Sequence, residues 1–297
     1  MADFDLSTSS DNNTEDKDFN IETTNYNEEP VVNNDIDEND ITIADKNTPI
    51  VMLFGPRSSG KSMTLVRLSR YLRDCGYTVK VDKTFKSDDL YRERCEKFMK
   101  DLDTKDALSG TAYTDFLLVK IIKAGKTICQ FLEAPGEHYF DPSDVSVNNF
   151  PTYMTKIIKN CKNRKIWAFI AEAEWEVNSN TKRAYVNRIR NCTDQLIERT
   201  DRFIIVCNKI DRKNEVFSKG QLIVKAAENY MKEEYEGLAD LFRNENPITS
   251  LWRKYNYKFV PFCTGHYTKE KGTLRYTESK ELYPRMLWNK IMECLKG

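Results

Sequence analysis

The sequence predicts a three-layer α/β fold, in which a mostly parallel β-sheet is covered by helices on both faces. Apolar strand-like runs alternate with amphipathic helical patterns from residue 50 to the C-terminus, which favours a parallel sheet. Two strands flank Gly125 closely enough to form a hairpin, which adds one antiparallel edge strand. A glycine-rich loop joins the first strand to the first helix, as in many sheets of this class.

The first strand and the first helix have the clearest patterns. Residues 50–54 are all apolar, as expected of a strand buried on both faces. The helix that follows is expected to end near Gly76, which can act as a C-terminal cap. Its predicted core face contains Leu65, Leu68, Leu72 and Cys75.

The next elements lead to the hairpin. Residues 77–81 alternate like a short strand, and the spacing of apolar residues predicts a helix over 87–103. Ser87 is a plausible N-cap for that helix. The two strands of the hairpin are predicted over 116–122 and 127–133.

The C-terminal half continues the alternation without an internal repeat or a second domain boundary. Residues 49–297 are therefore expected to form a single domain. The predicted elements are helix 152–161, strand 166–171, helix 181–198, strand 203–207, helix 221–242, strand 258–262 and helix 282–295.

The formal net charge of zero hides a strong asymmetry along the chain. Residues 1–48 contain 14 acidic residues and two lysines, a net charge of −12, so the remainder carries +12. This segment is rich in Asn, Ser and Thr and poor in large apolar residues, which predicts a disordered acidic tail. It would act as a solubilising leader, fold back on the basic body or bind a basic partner.

Several classes of function and location are disfavoured. The eight cysteines form no C-x-x-C pair, and the chain has only two histidines, so buried free thiols in a reducing cytoplasm are expected and a zinc site is not. No apolar run is long enough to span a membrane and no membrane anchor is indicated. Basic residues cluster within 156–165 and 182–190, but no nucleic-acid motif accompanies them, so a solvated helix face is expected.

The glycine-rich loop has the sequence GPRSSGKS and fits the pattern G-x-x-x-x-G-K-[ST]. Its glycines allow the backbone to wrap a phosphate, and the following helix N-terminus attracts the negative charge. Lys61 would reach the β- and γ-phosphates, and the Ser62 hydroxyl would bind Mg²⁺. The expected ligand contacts come from Gly55, Ser58, Ser59, Gly60, Lys61, Ser62 and Met63.

A second motif, N-K-I-D, selects the base. It comprises Asn208, Lys209 and Asp211 at the end of an apolar strand. The Asp211 carboxylate would accept hydrogen bonds from N1–H and the exocyclic amine of guanine, a donor pair that adenine lacks. Asn208 would tie this loop to the phosphate loop, and the Lys209 stem would lie over the base. The ligand is therefore expected to be GTP or GDP.

A third short segment, Cys263-Thr264-Gly265, follows the strand over 258–262. Cys263 and Thr264 are candidate base contacts, with the Thr264 N–H directed at the base oxygen. Judged alone, the triplet is equally consistent with an ordinary turn between a strand and a helix.

The order GPRSSGKS, EAPG, NKID and CTG resembles Ras-like P-loop GTPases of the translation-factor class, over nearly all of residues 49–297. More narrowly, APGE followed by aromatic residues, after an extra helix, is similar to bacterial double-GTPase or GTPase-associated domain proteins. The resemblance implies a P-loop GTPase fold with a sheet of about six strands and a nucleotide at the carboxyl ends of the parallel strands.

The resemblance also implies two switch segments. The match to the D-x-x-G loop is Glu133 to Gly136, with Glu in place of Asp; Glu133 would hold Mg²⁺ through water, and the Gly136 N–H would contact the γ-phosphate. Thr111 and Thr114 both qualify as the threonine that contacts Mg²⁺ and the γ-phosphate, with Thr111 favoured. The expected metal ligands are thus Ser62, Thr111 and Glu133.

Three residues are candidates for the hydrolytic step. Lys61 would neutralise phosphate charge, and Glu137 stands where the water-orienting residue is expected. A carboxylate there adds negative charge beside the phosphate, which predicts slow intrinsic hydrolysis. Arg57 would act as an arginine finger in the same chain, project outward against a partner, or have no catalytic role.

These observations support a GTP-hydrolysing switch that meets a protein effector or activator through its switch segments. A GTP-binding scaffold that does not hydrolyse is the alternative from another class, because Glu133, Glu137 and Arg57 depart from the usual pattern. An ATP-dependent kinase or ATPase is a third hypothesis, which the N-K-I-D motif disfavours.

Overall fold

The computed structural model describes residues 41–104, 116–142, 150, 154–155, 158–159, 161–270 and 273–296. Thr111 and Thr114 lie outside the described residues, as does the acidic segment before residue 41. Of the helix predicted over 152–161, the described positions 154–155 and 158–159 are helical.

The described strands and helices follow the predicted alternation. The strands are β1 (Ile50–Phe54), β2 (Thr78–Val81), β3 (Leu117–Lys123), β4 (Lys126–Glu133), β5 (Lys165–Glu172), β6 (Arg202–Asn208), β7 (Phe217–Ser218), β8 (Gln221–Leu222), β9 (Tyr257–Pro261), β10 (Gly265–Glu270) and β11 (Thr273–Glu278). The helices are α1 (Lys61–Asp74), α2 (Asp89–Asp103), α3 (Gly136–Tyr139), α4 (Ser179–Leu196), α5 (Val224–Glu234) and α6 (Leu282–Lys296).

The main sheet, within the described residues, has seven strands in the order β2-β3-β4-β1-β5-β6-β9. Strands β4, β1, β5, β6 and β9 are parallel neighbours, whereas β3 runs antiparallel to both β2 and β4. The sheet therefore exceeds the six strands implied by the resemblance, because β2 pairs with β3 and forms the outer edge. The antiparallel strand of the hairpin lies second from that edge.

The core lies on both faces of the sheet. Every residue of β1 and of β5 is buried, and successive side chains of a strand point to opposite faces. Both faces are thus covered, as the apolar runs predict. The apolar stripe of α1, with Leu65, Leu68 and Leu72, is buried, and polar residues of the same helix such as Arg67 and Ser69 are buried as well.

The sheet topology positions the motifs. In the register, Leu53 lies opposite Glu133, Glu172 opposite Asn208, and Cys207 opposite Pro261. Strands β4, β1, β5, β6 and β9 therefore end at the same edge. The loops that follow β1, β4, β6 and β9 contain the four sequence motifs, which the fold brings to one edge of the sheet.

Three local predictions were wrong. Residues 221–242 are not one helix: β8 precedes α5, and a 3-10 turn over Ala239–Phe242 follows. The N-cap of α2 is Asp88, whose Oδ1 accepts from Tyr91 N at 2.6 Å, and not Ser87. Cys75 is exposed at the end of α1, where Gly76 with φ 75° turns the chain. The β10–β11 hairpin was not predicted.

Residues 41–48, assigned to the acidic tail by composition, contact the domain. Ile41 and Ile43 pack against the core, and Thr42 N donates to Phe85 O at 2.8 Å. Two buried amides bind the carbonyls of Asp45 and Thr48; they belong to Gln130 and Asn163. Ordered packing in this part of the chain thus begins before β1.

Candidate nucleotide site

The glycine-rich loop between β1 and α1 passes through left-handed backbone conformations. Ser58 has φ 61°, and Gly60, directly before the helix, has φ 87°. Glycine adopts such angles without strain. The buried Lys61 ammonium donates to Gly55 O at 2.9 Å and to Pro56 O at 2.8 Å. This cation and the N-terminus of α1 together favour an anionic ligand.

Two glycines allow other segments to approach this loop closely. A Cβ atom on Gly60 would lie 2.4 Å from Asn208 Nδ2. A Cβ atom on Gly136 would lie 2.4 Å from Arg57 N and 2.6 Å from Lys61 Nζ. Such distances are far below van der Waals contact, so a side chain at Gly136 would displace the loop backbone and one at Gly60 would displace the Asn208 amide.

The loop after β6 is linked directly to the phosphate loop. Asn208 Nδ2 donates to Ser59 O at 2.9 Å, and both residues are buried. This is the tie expected of Asn208 from the sequence. It fixes the distance between the segment that would bind phosphates and the segment that would bind the base.

Lys209 adopts the left-handed conformation, with φ 57°, and its ammonium pairs with the Glu172 carboxylate at the end of β5. Burial raises the pKa of Glu172, and the hydrogen bond from Lys209 opposes this shift. The Glu172 backbone is held by Tyr235, whose hydroxyl accepts from Glu172 N at 2.9 Å and donates to Glu172 O at 2.8 Å. The Lys209 side chain is therefore anchored to a rigid strand end.

The base-reading candidates lie together. Asp211 lies in a 3-10 turn, partly buried, with Oδ2 3.4 Å from His266 Nδ1. Burial and the hydrogen bond to Asp211 raise the pKa of the Cys263 thiol. Thr264 O accepts from Tyr276 Oη at 2.7 Å, which fixes the turn after β9. A carboxylate beside a neutral thiol and a fixed backbone turn can present both acceptors and donors to a base edge.

The candidate Mg²⁺ ligands Ser62 and Glu133 are in direct contact. Ser62 Oγ donates to Glu133 Oε1 across the boundary between α1 and β4. A hydroxyl and a carboxylate are the oxygen ligands that Mg²⁺ prefers, so the donor set fits the metal. The third expected ligand, Thr111, lies outside the described residues.

Sequence reasoning missed one charged partner of this pair. Arg94 of α2 places Nη2 3.2 Å from Glu133 Oε2, and their side chains are 10% and 3% exposed. No motif marks this arginine, because its partner is 39 positions away and the contact depends on how α2 packs on the sheet. Its place next to Cys95, on a helix whose buried face is Tyr91, Cys95, Phe98 and Leu102, gave no reason to expect it at the site.

A second group of potential metal ligands overlaps the base-reading region. Asp211, Cys263 and His266 each offer one atom within 4.8 Å of the others. Thiol, imidazole and carboxylate are ligands typical of Zn²⁺ and differ from the oxygen ligands of Ser62 and Glu133. The sequence predicted no zinc site, but within the described residues these three side chains are close enough together to hold a metal ion.

The short helix after Gly136 is held from the far side by α4. Arg188 Nε donates to Tyr139 O at 2.7 Å, and its Nη2 donates to His138 O at 3.4 Å. The guanidinium also lies 3.7 Å from the Phe150 ring centroid. Burial lowers the pKa of Arg188 to about 10, so it is charged at neutral pH.

The basic clusters are only partly solvated. Arg188 is buried, and Lys165 is buried with Nζ donating to Cys161 O at 2.7 Å. The expectation of a solvated face was therefore wrong for these two residues. Lys162, Arg183 and Arg190 are exposed.

The remaining candidates lie in known positions but have fewer described contacts. Arg57 is exposed on the phosphate loop, and Met63 is half-buried in the first turn of α1. Glu137 belongs to α3 by its backbone, and its side chain is not among those described.

Comparison with solved structures finds 144 matching chains, two of which follow. One is nucleolar GTP-binding protein 1 from Plasmodium falciparum, with 14% identity and a TM-score of 0.43, covering 86% of this chain and 90% of that chain. The other is Roco2 RocCORdC from Methanosarcina barkeri bound to GDP, with 13% identity and a TM-score of 0.33, covering 84% of this chain and half of that chain. No protein-family model and no curated protein matches.

At such low identity, the function has to be inferred from the chain's own site residues. Among the helices in the described ranges, none combines the length and apolar character needed to cross a membrane.

Proposed function

We propose that the chain is a GTP-binding molecular switch that hydrolyses GTP to GDP and phosphate with Mg²⁺. The observation that carries this proposal is the hydrogen bond from Asn208 to Ser59, which joins the base-reading loop to the phosphate loop. A phosphate loop alone binds many nucleotides, whereas a fixed second loop with a carboxylate selects the base.

Guanine selectivity is assigned to Asp211. Its partly buried carboxylate can accept the N1–H and the exocyclic N–H of guanine together. Adenine offers no such donor pair and would leave the carboxylate unpaired, at a cost that makes this kind of site very selective. Lys209, Cys263 and Thr264 would complete the base pocket.

Phosphate binding and hydrolysis are assigned to the loop and the end of β4. Lys61 and the backbone N–H groups of Gly55–Ser62 would hold the β- and γ-phosphates. Ser62 and Glu133 would hold Mg²⁺ with Thr111, and the metal would neutralise charge on the transferring phosphoryl group. Glu137 would orient the attacking water. Its negative charge beside the phosphate is the reason to expect slow hydrolysis without a partner.

The switch itself is assigned to the segment from Glu133 through α3. Gly136, the first residue of α3, lies against the phosphate loop. A contact between Gly136 and the γ-phosphate would therefore change the position of α3. A protein effector or activator would bind differently to the two positions of α3. The cytoplasmic location expected from the reduced cysteines remains part of the proposal.

A second candidate, a GTP-binding scaffold without hydrolysis, is favoured by one contact. Arg94 pairs with Glu133, the carboxylate expected to hold Mg²⁺, and so competes with the metal. Single-turnover phosphate release from GTP separates the two functions. Release by the wild type that disappears in Lys61→Ala supports hydrolysis, and tight GTP binding without release supports the scaffold.

The base assignment is tested by Asp211→Asn. An amide replaces one acceptor with a donor, so we expect GTP affinity to fall at least about 100-fold while xanthosine triphosphate gains affinity. The control is Asp194→Asn, an exposed aspartate on α4. Unchanged preference among GTP, ATP and XTP in Asp211→Asn would contradict guanine recognition by this residue.

A further inference from the structure

Arg94 is a buried cation beside the predicted phosphate site, and it belongs to none of the sequence motifs. It belongs to α2, whose core face is formed by Tyr91, Cys95, Phe98 and Leu102. Its guanidinium leaves that core face and pairs with Glu133 at 3.2 Å. The side chain is nine-tenths buried, so it lies in the interior beside Glu133 and not in solvent.

The pair with Glu133 brings this guanidinium next to the phosphate loop. Glu133 Oε2 faces Arg94, and Oε1 accepts from Ser62 Oγ at the start of α1. One carboxylate therefore separates Arg94 from the hydroxyl expected to face Mg²⁺ and the β-phosphate. The guanidinium is thus one carboxylate removed from the N-terminus of α1, where the phosphates are expected.

The guanidinium also has a donor that the protein does not use. Arg94 Nε is buried and has no hydrogen-bond partner among the described residues. An arginine has five N–H donors in a planar fork, and this fork matches phosphate oxygens. A buried donor without a partner is costly, so its retention points to a ligand that uses it.

The other cations near the site have different roles. Lys61 is held over Gly55 O and Pro56 O. Arg188 is committed to the carbonyls of His138 and Tyr139. Arg57 is exposed on the loop. Unlike these three cations, Arg94 is both buried and paired with the candidate metal ligand Glu133.

We propose that Arg94 is the catalytic arginine of this chain: it pairs with Glu133 in this structure and would bind the γ-phosphate when Glu133 serves as a metal ligand. This rests on the proposed GTP hydrolysis. Glu133 would give its carboxylate to Mg²⁺ in place of Arg94, and the guanidinium released from this pair would stabilise the charge that develops on phosphate.

The reaction needs no covalent chemistry from Arg94. Water adds to the γ-phosphorus, and the bond from that phosphorus to the β–γ bridging oxygen breaks. The bridging oxygen leaves on GDP, and the proton from water is released with inorganic phosphate. Arg94 donates hydrogen bonds to the phosphoryl oxygens throughout and keeps its own protons.

The test compares wild type, Arg94→Ala, Arg94→Lys and the control Arg92→Ala. Arg92 lies on the same helix, is exposed and pairs with Asp89. Two readouts are measured: single-turnover GTP hydrolysis, and the gain in affinity for fluorescent GDP when aluminium fluoride is added as a mimic of the transferring phosphoryl group.

For Arg94→Ala we expect hydrolysis to fall about 1,000-fold and the aluminium fluoride gain to disappear, because an arginine of this kind acts mainly in the transition state. GDP affinity without fluoride should change less than about threefold. Arg94→Lys keeps the ion pair with Glu133 but lacks the fork, so it should lose most of the same gain. Arg92→Ala should match the wild type.

The outcomes separate this inference from the proposed function. Normal hydrolysis and a normal fluoride gain in Arg94→Ala, or in Arg94→Lys if the alanine variant does not fold, would overturn the role of Arg94 alone. A wild type that binds no guanine nucleotide would instead overturn the proposed function.

Discussion

At Gly136 two distant parts of the sequence come so close that only hydrogen fits between them. Its Cα hydrogen faces the backbone of Pro56 and Arg57, which the sequence places about 80 positions earlier. This contact joins the segment proposed as a switch to the glycine-rich loop at the scale of a single atom. A change in phosphate position would therefore move α3, and a change in α3 would move the loop.

We expect Gly136→Ala to weaken GTP binding. The added methyl group would overlap Arg57 N and Lys61 Nζ, and such overpacking typically costs about 1–3 kcal/mol. Since the strained atoms belong to the loop proposed to bind phosphate, GTP affinity should fall roughly 5–150-fold, as measured by titration with fluorescent GTP.

The matched control for this change is Gly125→Ala at the hairpin turn. No atom lies within 4 Å of the Cβ position there, but φ is 77°. The control should lower stability through backbone strain and leave GTP affinity unchanged within about twofold. Equal affinity in Gly136→Ala and Gly125→Ala would show that this contact does not matter for binding.

Residues in motifs could be predicted because spacing encodes their geometry. The link from Asn208 to Ser59 follows from two motifs that must meet at strand ends. Arg94 could not be predicted, since nothing local to α2 indicates that its side chain reaches Glu133. The prediction that Cys75 lies on the core face of α1 was wrong. The apolar spacing continues to Cys75, but the helix ends at Asp74 and Gly76 turns the chain.

At the scale of elements, α3 depends on α4. Arg188 supplies hydrogen bonds to the carbonyls of Tyr139 and His138, and the Tyr139 ring packs 4.5 Å from that of Phe54 at the end of β1. A short four-residue helix has little intrinsic stability, so these tertiary contacts hold it in place.

We expect Arg188→Met to loosen α3. The apolar side chain fills similar volume but leaves two buried carbonyls without donors, at roughly 1–3 kcal/mol each. Hydrogen exchange over residues 136–140 should become faster, and the free energy of unfolding should fall by about 2 kcal/mol or more. Arg190→Met on the exposed side of the same helix is the control. Unchanged exchange in Arg188→Met would contradict the dependence of α3 on α4.

Most strands and helices could be predicted from periodicity, and the failures have local causes. The helix expected over 221–242 is interrupted because Lys219 and Gly220 turn the β7–β8 hairpin with positive φ, and Gly237 does the same after α5. Tyr235 also leaves the helix, where its hydroxyl bonds to both backbone groups of Glu172. That tertiary contact is invisible to helical propensity.

At the scale of the whole molecule, the domain begins before the strand that carries the phosphate loop. Residues 41–48 share the polar composition of the acidic segment, so composition placed the boundary at residue 48. The carbonyls of Asp45 and Thr48 nonetheless satisfy the buried amides of Gln130 and Asn163. Ile41 and Ile43 pack against the core, but two apolar residues in a polar segment are too few to predict this packing from the sequence.

Two truncations test where the domain begins. Removing residues 1–40 should leave the unfolding temperature unchanged, because this acidic segment is poor in the large apolar residues that build a core. Removing residues 1–48 leaves the Gln130 and Asn163 amides with unmet donors, which should lower the unfolding temperature by about 4 °C or more. Equal unfolding temperatures for both truncations would contradict a structural role for residues 41–48.

The central claim, that this chain binds a guanine nucleotide, is tested most directly by competition. The protein is stripped of nucleotide with a chelator and incubated with Mg²⁺ and equal concentrations of GTP and ATP. It is then separated from free nucleotide, denatured and analysed by chromatography. We predict that the released nucleotide is GTP or GDP in near-equal amount to the protein. Release of an adenine nucleotide, or of none, would contradict the claim.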